Sequence, residues 1–280
     1  MTRIYQWITP GLALLLLVGF VSPVRAVAAP ALPPNVTSVY VRMPQTTVPG
    51  QPLRVVVALH GIGGDGLTFA SDLTASADRY GWVLVAPTIA YGNWMDPAQV
   101  AQEDPQLVSW LSSYLAQLRA QSNQPLDPTV MLLGFSRGAQ LAHRFAEAYP
   151  RQTLAVAAAS AGSYTLPDAV APDGTPLPFP YGLADFPATI GQVFAPAQLQ
   201  SVHFWIGVGN NDTNPADVPQ QFDSYQGNDR LDRARAFVAA LDSLNVSAQL
   251  AVFPDVAHAF TPVMEQAAVA FLAAQPATAA

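Results

Sequence analysis

A serine flanked by glycines, Gly134-Phe135-Ser136-Arg137-Gly138, lies where an apolar run gives way to a helical stretch. G-x-S-x-G at a strand-to-helix turn forces its middle residue into strained backbone angles, so the hydroxyl stands clear of the sheet. Gly134 and Gly138 leave room for neighbouring backbone to pass closely. A serine hydroxyl is a poor nucleophile near neutral pH and needs a base, for which histidine is the usual choice. The chain has four histidines. His203 falls inside an apolar run and is expected to be buried. His143 lies two helical turns beyond Ser136, facing away from it. His60 is expected to hydrogen-bond its own loop. His258, in Asp255-Val256-Ala257-His258-Ala259-Phe260, follows an apolar run on a loop and is the candidate base.

A histidine base needs an acceptor on its other ring nitrogen to set the tautomer and stabilise the imidazolium. Asp212, in Gly209-Asn210-Asn211-Asp212-Thr213, has the right loop and the right chain order, serine then acid then histidine. Asp217 competes for this role, Asp255 is too near His258 along the chain, and a plain polar turn is the alternative reading of Asn210-Asn211-Asp212. The tetrahedral intermediate of acyl transfer also needs two donors aimed at its oxyanion. The backbone N–H of Arg137 is one candidate. The N–H of Ile62, in the glycine-rich loop His60-Gly61-Ile62-Gly63-Gly64, is the other.

These residues must be held by elements, and the sequence marks them out. Apolar runs at Thr37–Met43, Leu53–Leu59, Trp82–Ala86, Thr129–Leu133, Leu154–Ala159, Val202–Val208 and Ala248–Phe253 predict strands. Helical spacing covers Leu67–Tyr80, Pro105–Gln121, the stretch from Ser136 to about Tyr149, Asn228–Leu244 and Pro262–Ala274. This alternation predicts a mostly parallel sheet covered by helices. Residues 163–200 interrupt it with seven prolines, predicting an irregular, stiff cap excursion without long helices. A loop this long is usually functional. Trp94, with Tyr91 and Met95, and Phe179 and Tyr181, with Tyr164 and Phe186, are candidate walls of an apolar substrate pocket, Phe179 and Tyr181 being the favoured cap residues. Packing of the excursion onto the body is the alternative.

Composition bounds the class. Hydrophobic residues make up 51% of the 280 and charged ones 11%, which fits a globular enzyme with one large core. The formal charge is −7, all 12 basic residues are arginines, and no basic run occurs, so nucleic acid is not an expected partner. Cysteine is absent, which excludes disulfides and thiolate metal sites. Asp and His lack metal-ligand spacing, and no phosphate loop or dinucleotide fingerprint is present, so no metal or cofactor is expected. Arg3 and the apolar run Gly11–Val21 predict a signal peptide over 1–26, followed by an Ala/Pro linker over 27–36 and one domain over 37–280. The run is short of the roughly 20 residues that span a bilayer, so a secreted or periplasmic protein without stable membrane insertion is expected, with an uncleaved anchor as the alternative.

Leu59-His60-Gly61, Gly134-Phe135-Ser136-Arg137-Gly138, Gly209-Asn210-Asn211-Asp212 and Ala257-His258 together resemble the α/β-hydrolase superfamily. Within it the chain resembles secreted polyester-depolymerase-like and dienelactone-hydrolase-like serine esterases. The resemblance implies an eight-stranded, mostly parallel sheet flanked by helices. It also implies hydrolysis of small-molecule or polymeric carboxylic esters through an acyl-enzyme. A serine peptidase of the same fold and a non-catalytic binding module are the competing readings.

Overall fold

The computed structural model describes residues 31–47 and 50–276. The expected signal peptide and residues 27–30 of the expected linker lie outside them. Strand β1 (Val36–Arg42) leads through a turn to β2 (Leu53–Leu59), then to helices α1 (Gly66–Asp72) and α2 (Thr74–Tyr80) and strand β3 (Trp82–Ile89). Helix α3 (Pro97–Gln121), strand β4 (Leu126–Phe135), helix α4 (Arg137–Ala148) and strand β5 (Thr153–Ala159) follow. The proline-rich segment carries only two short helices, α5 (Phe186–Ile190) and α6 (Pro196–Leu199). Strand β6 (His203–Gly209), helices α7 (Asp223–Gln226) and α8 (Arg230–Ser243), strand β7 (Ala248–Phe253) and helix α9 (Pro262–Ala273) complete the chain.

The strands form one sheet in the order β1-β3-β2-β4-β5-β6-β7. Strand β1 runs antiparallel to β3, and the other pairs are parallel. Each of the seven apolar runs in the sequence is one of these strands. The eight-stranded sheet implied by the resemblance is corrected to seven among the described residues, because β1 already takes the edge beside β3 and no further strand pairs beyond it.

Both faces of the sheet are covered, which explains the near-continuous apolar strands. Alternate residues point to opposite faces. Val55, Val57, Leu59, Leu132, Val156 and Ile206 pack with α3, α4 and α8. Val56, Ala58, Leu133, Ala157 and Trp205 pack with α1, α2 and α9. Each fully buried Val or Leu contributes about 1.5–3 kcal/mol of transfer free energy.

Helix α3 starts eight residues earlier than Pro105. The Asp96 side chain accepts from the N–H groups of Ala98 and Gln99, and Pro97 takes the first helical position, where its missing N–H costs nothing. Pro105 sits inside the helix. The interior proline costs about 3 kcal/mol, offset by burial of Val100, Leu107, Val108 and Leu111. No helix among the described residues is long and apolar enough to cross a membrane.

The connection from β2 goes to β3 on one side, whereas β4 returns on the other side of β2. Such a reversal leaves a crevice at the carboxyl ends of the two strands, where open α/β sheets bind ligands. Leu59 pairs in register with Gly134. The glycine-rich loop and Ser136 therefore emerge side by side at this point.

Candidate active site

Ser136 joins β4 to α4 with φ 53° and ψ −114°. A non-glycine residue held there stores about 1–3 kcal/mol of backbone strain. The flanking glycines make the turn possible. A Cβ on Gly138 would collide with the carbonyls of Leu59 and His60, and one on Gly134 with the backbone of Gly138. The Ser136 N–H donates to the Ala159 carbonyl at 2.8 Å, tying the turn to β5.

His258 Nε2 lies 2.9 Å from Ser136 Oγ, and His258 Nδ1 lies 3.0 Å from Asp212 Oδ2. Burial pushes the Asp212 carboxyl up, but the hydrogen bond from His258 and the charge of Arg230 outweigh it and hold it below the usual carboxylate range. An ionised Asp212 can only accept, so Nδ1 carries the ring proton and Nε2 is free to accept from the serine hydroxyl. Asp217 does not reach His258. Its carboxylate is half-exposed, and its carbonyl accepts from Trp94 Nε1 at 3.1 Å and Arg230 Nη2 at 2.9 Å.

The two loops that carry acid and base are laced together. Asn210 and Asn211 donate their N–H groups to Phe253 and Val256 at 2.9 Å each. The Asn210 side chain accepts from the Asp255 N–H at 2.7 Å. A Cβ on Gly209 would strike the Val256 carbonyl. Beneath the base, the Phe135 ring stacks on His258 with centroids 5.0 Å apart.

Ile62, Trp94, Ser136, Arg137, Gln140, Asp217, Arg230 and His258 line one cavity of about 220 Å³. Arg137 is the first residue of α4, so its N–H has no acceptor within the helix. Its side chain turns away from the cavity. It bonds Glu103 at 2.8 Å and Asp104, and lies 5.0 Å from the Tyr91 ring centre. Trp94 lies on the wall of this cavity. Phe179 and Tyr181 do not, which corrects the expectation that they line it. Both are buried: Phe179 packs against Phe186 and under the Arg144 guanidinium, and Tyr181 packs against Phe222. An excursion without a core of its own must bury its aromatics against the body, and these two are spent that way.

The remaining histidines have structural partners. His60 Nε2 accepts from the Ile89 N–H at 2.9 Å, its Nδ1 faces the Gly61 carbonyl at 2.6 Å, and burial lowers its pKa. His143 is fully buried, accepts from the Thr165 N–H at 3.1 Å, and burial lowers its pKa strongly. His203, expected to be buried, is half-buried at the start of β6. Arg230 and Gln140 are site residues that the sequence did not single out. Arg230 Nη1 donates to Asp212 Oδ1 at 3.1 Å, the oxygen that His258 leaves free. Among the described residues, no group of three or more His, Asp or Glu could hold a metal ion. A larger recess of about 380 Å³ lies around Arg54, Tyr80 and Asp127 at the other end of the sheet, and Ser136 and His258 do not line it.

The sequence matches no protein-family model and no curated protein. Solved structures do match. A poly(3-hydroxybutyrate) depolymerase from Bordetella parapertussis is 24% identical, with a TM-score of 0.65 over 86% of this chain and 87% of that one. A poly(aspartic acid) hydrolase from Sphingomonas sp. KT-1 is 23% identical, with a TM-score of 0.64 over 83% of this chain and 91% of that one. A phospholipase/carboxylesterase from Dyadobacter fermentans is 19% identical, with a TM-score of 0.55 over 86% and 98%. Sheet order, helix layers and these likenesses agree: the chain has the α/β-hydrolase fold.

Proposed function

We propose that this chain is an exported serine hydrolase that cleaves carboxylic esters through an acyl-enzyme. The reading rests on one observation, the unbroken relay from Ser136 Oγ to His258 at 2.9 Å and on to Asp212 at 3.0 Å. His258 removes the hydroxyl proton as Ser136 attacks the ester carbonyl. Asp212 holds the ring and stabilises the imidazolium. The N–H groups of Ile62 and Arg137 take the developing oxyanion. The protonated His258 then gives its proton to the departing alcohol. Water repeats the cycle to release the acid. Arg3 and the apolar run Gly11–Val21 support export of the chain.

The cavity of about 220 Å³ favours a short acyl group, since drug-sized ligands occupy roughly 300–1,000 Å³. The esterase and depolymerase names among the similar folds support esters as the substrate class. The poly(aspartic acid) hydrolase among them makes an amide of the same acyl group the proper control. The expected result is fast hydrolysis of a short-chain ester, lost in Ser136→Ala, with the matched amide at least 100-fold slower. An amide cleaved as fast as its ester would replace this reading with a peptidase one, and a folded protein that cleaves neither would remove it.

A further inference from the structure

A second recess opens on the other side of the Ile62 loop. It is a groove of about 430 Å³ whose walls include Ile62, Asp65, Thr68, Phe69, Asp72 and Phe135. Ile62 lines both this groove and the cavity holding Ser136, so the two spaces meet at Ile62, and Phe135, next to Ser136 in the chain, lines the groove. The Ile62 side chain is 42% exposed between them. The groove is aromatic on its inner side. Phe69 and Phe135 each lie 5.7 Å, centre to centre, from Phe260, and Phe135 continues the series onto the His258 ring.

Two features name the occupant. His258 must deliver its proton to the oxygen of the departing alcohol, so that alcohol has to lie next to the imidazole. Phe135, stacked on that imidazole, is a wall of the groove. The rim carries the second feature, its charge. Asp65 and Asp72 are carboxylates, Glu265 of α9 lies within electrostatic reach of Asp72, and His60 is the one basic side chain in the wall, its pKa lowered by burial. An anion entering there meets like charge and no cation.

We infer that this groove is the leaving-group subsite, and that it takes bulky, uncharged aromatic alcohols and rejects anionic ones. The smaller cavity keeps the acyl group. Substrates would then extend on both sides of the scissile bond. The inference rests on the ester-hydrolase reading, and its test separates the two.

Acetate esters hold the acyl group constant while the alcohol varies: methyl, benzyl and 4-carboxybenzyl. Phe69→Ala is expected to lower kcat/KM for benzyl acetate about tenfold and for methyl acetate less than twofold. The rate of deacylation, which no longer involves the alcohol, should stay unchanged. Asp72→Asn, at an exposed position, is expected to raise kcat/KM for the 4-carboxybenzyl ester severalfold relative to that for benzyl acetate. This second variant keeps the test open if Phe69→Ala fails to fold. Equal losses on methyl and benzyl esters, a changed deacylation rate, or no gain on the anionic ester in Asp72→Asn would each overturn the subsite. Those results would come from an enzyme that still forms an acyl-enzyme on Ser136. Absence of any acyl-enzyme would instead overturn the hydrolase reading beneath it.

Discussion

Arg230 changes how the acid of the site works. His258 takes one oxygen of Asp212 and Arg230 takes the other, so both oxygens of a buried carboxylate are hydrogen-bonded and its charge is balanced by Arg230. A depressed carboxyl pKa stabilises the fold above the unfolded value of about 3.9 and loses that contribution as pH falls through the folded value. In Arg230→Gln the folded value rises, so acid unfolding followed by circular dichroism should begin at higher pH than in the parent. Turnover at neutral pH should fall about 10- to 100-fold, because the imidazole is less firmly oriented. An unchanged acid midpoint would show that Arg230 does not hold Asp212. Ser136, Asp212 and His258 were legible as candidates in the sequence because each follows an apolar run that reads as a strand. Arg230 was not. It lies 18 residues beyond Asp212, in the stretch Asn228-Asp229-Arg230-Leu231-Asp232-Arg233, whose charges look like a solvated helix face.

Among elements, the strands were legible because a parallel sheet covered on both faces leaves continuous apolar runs. Helix α3 begins at Pro97 and not at Pro105, where the apolar spacing becomes regular, because Asp96-Pro97 carries the stronger capping signal. Helix α4 hides a different feature. All twelve of its residues are buried, including Glu147 in the last turn. Neither Glu147 oxygen has a hydrogen-bond partner, and burial raises its pKa well above the ordinary value. Nothing local in the sequence forecasts this, because the covering chain is remote. Burial raises the folded-state pKa of Glu147 above its unfolded value of about 4.3, so its contribution to stability falls as pH rises from the unfolded value towards the folded one. Glu147→Met should therefore raise the melting temperature, with a gain that grows as pH rises above about 4.3. A gain independent of pH would mean that packing, not ionisation, is responsible.

At the scale of the molecule, the reversal of strand order between β2 and β4 sets where ligands can bind, and the cavity lined by Ser136 opens there. The proline-rich excursion was legible as stiff and short of helices, but its destination was not. Composition says that Phe179 and Tyr181 need burial and cannot say whether a ligand or the body supplies it. The body does. Phe179→Ala and Tyr181→Ala should each destabilise the fold by about 3–5 kcal/mol in denaturant titrations, as buried aromatic truncations do. The preference among acyl chains should stay as it is in whichever variant folds. A stable variant with an altered acyl profile would return these residues to the pocket.

The central claim is that Ser136 is a nucleophile activated by His258. The direct measurement is the intact mass of the protein after reaction with a fluorophosphonate, followed by peptide mapping. One adduct per chain, located on Ser136, absent from Ser136→Ala and formed orders of magnitude more slowly by His258→Ala, is the expected result. A folded protein that takes no adduct, or carries it on another residue, would contradict the account.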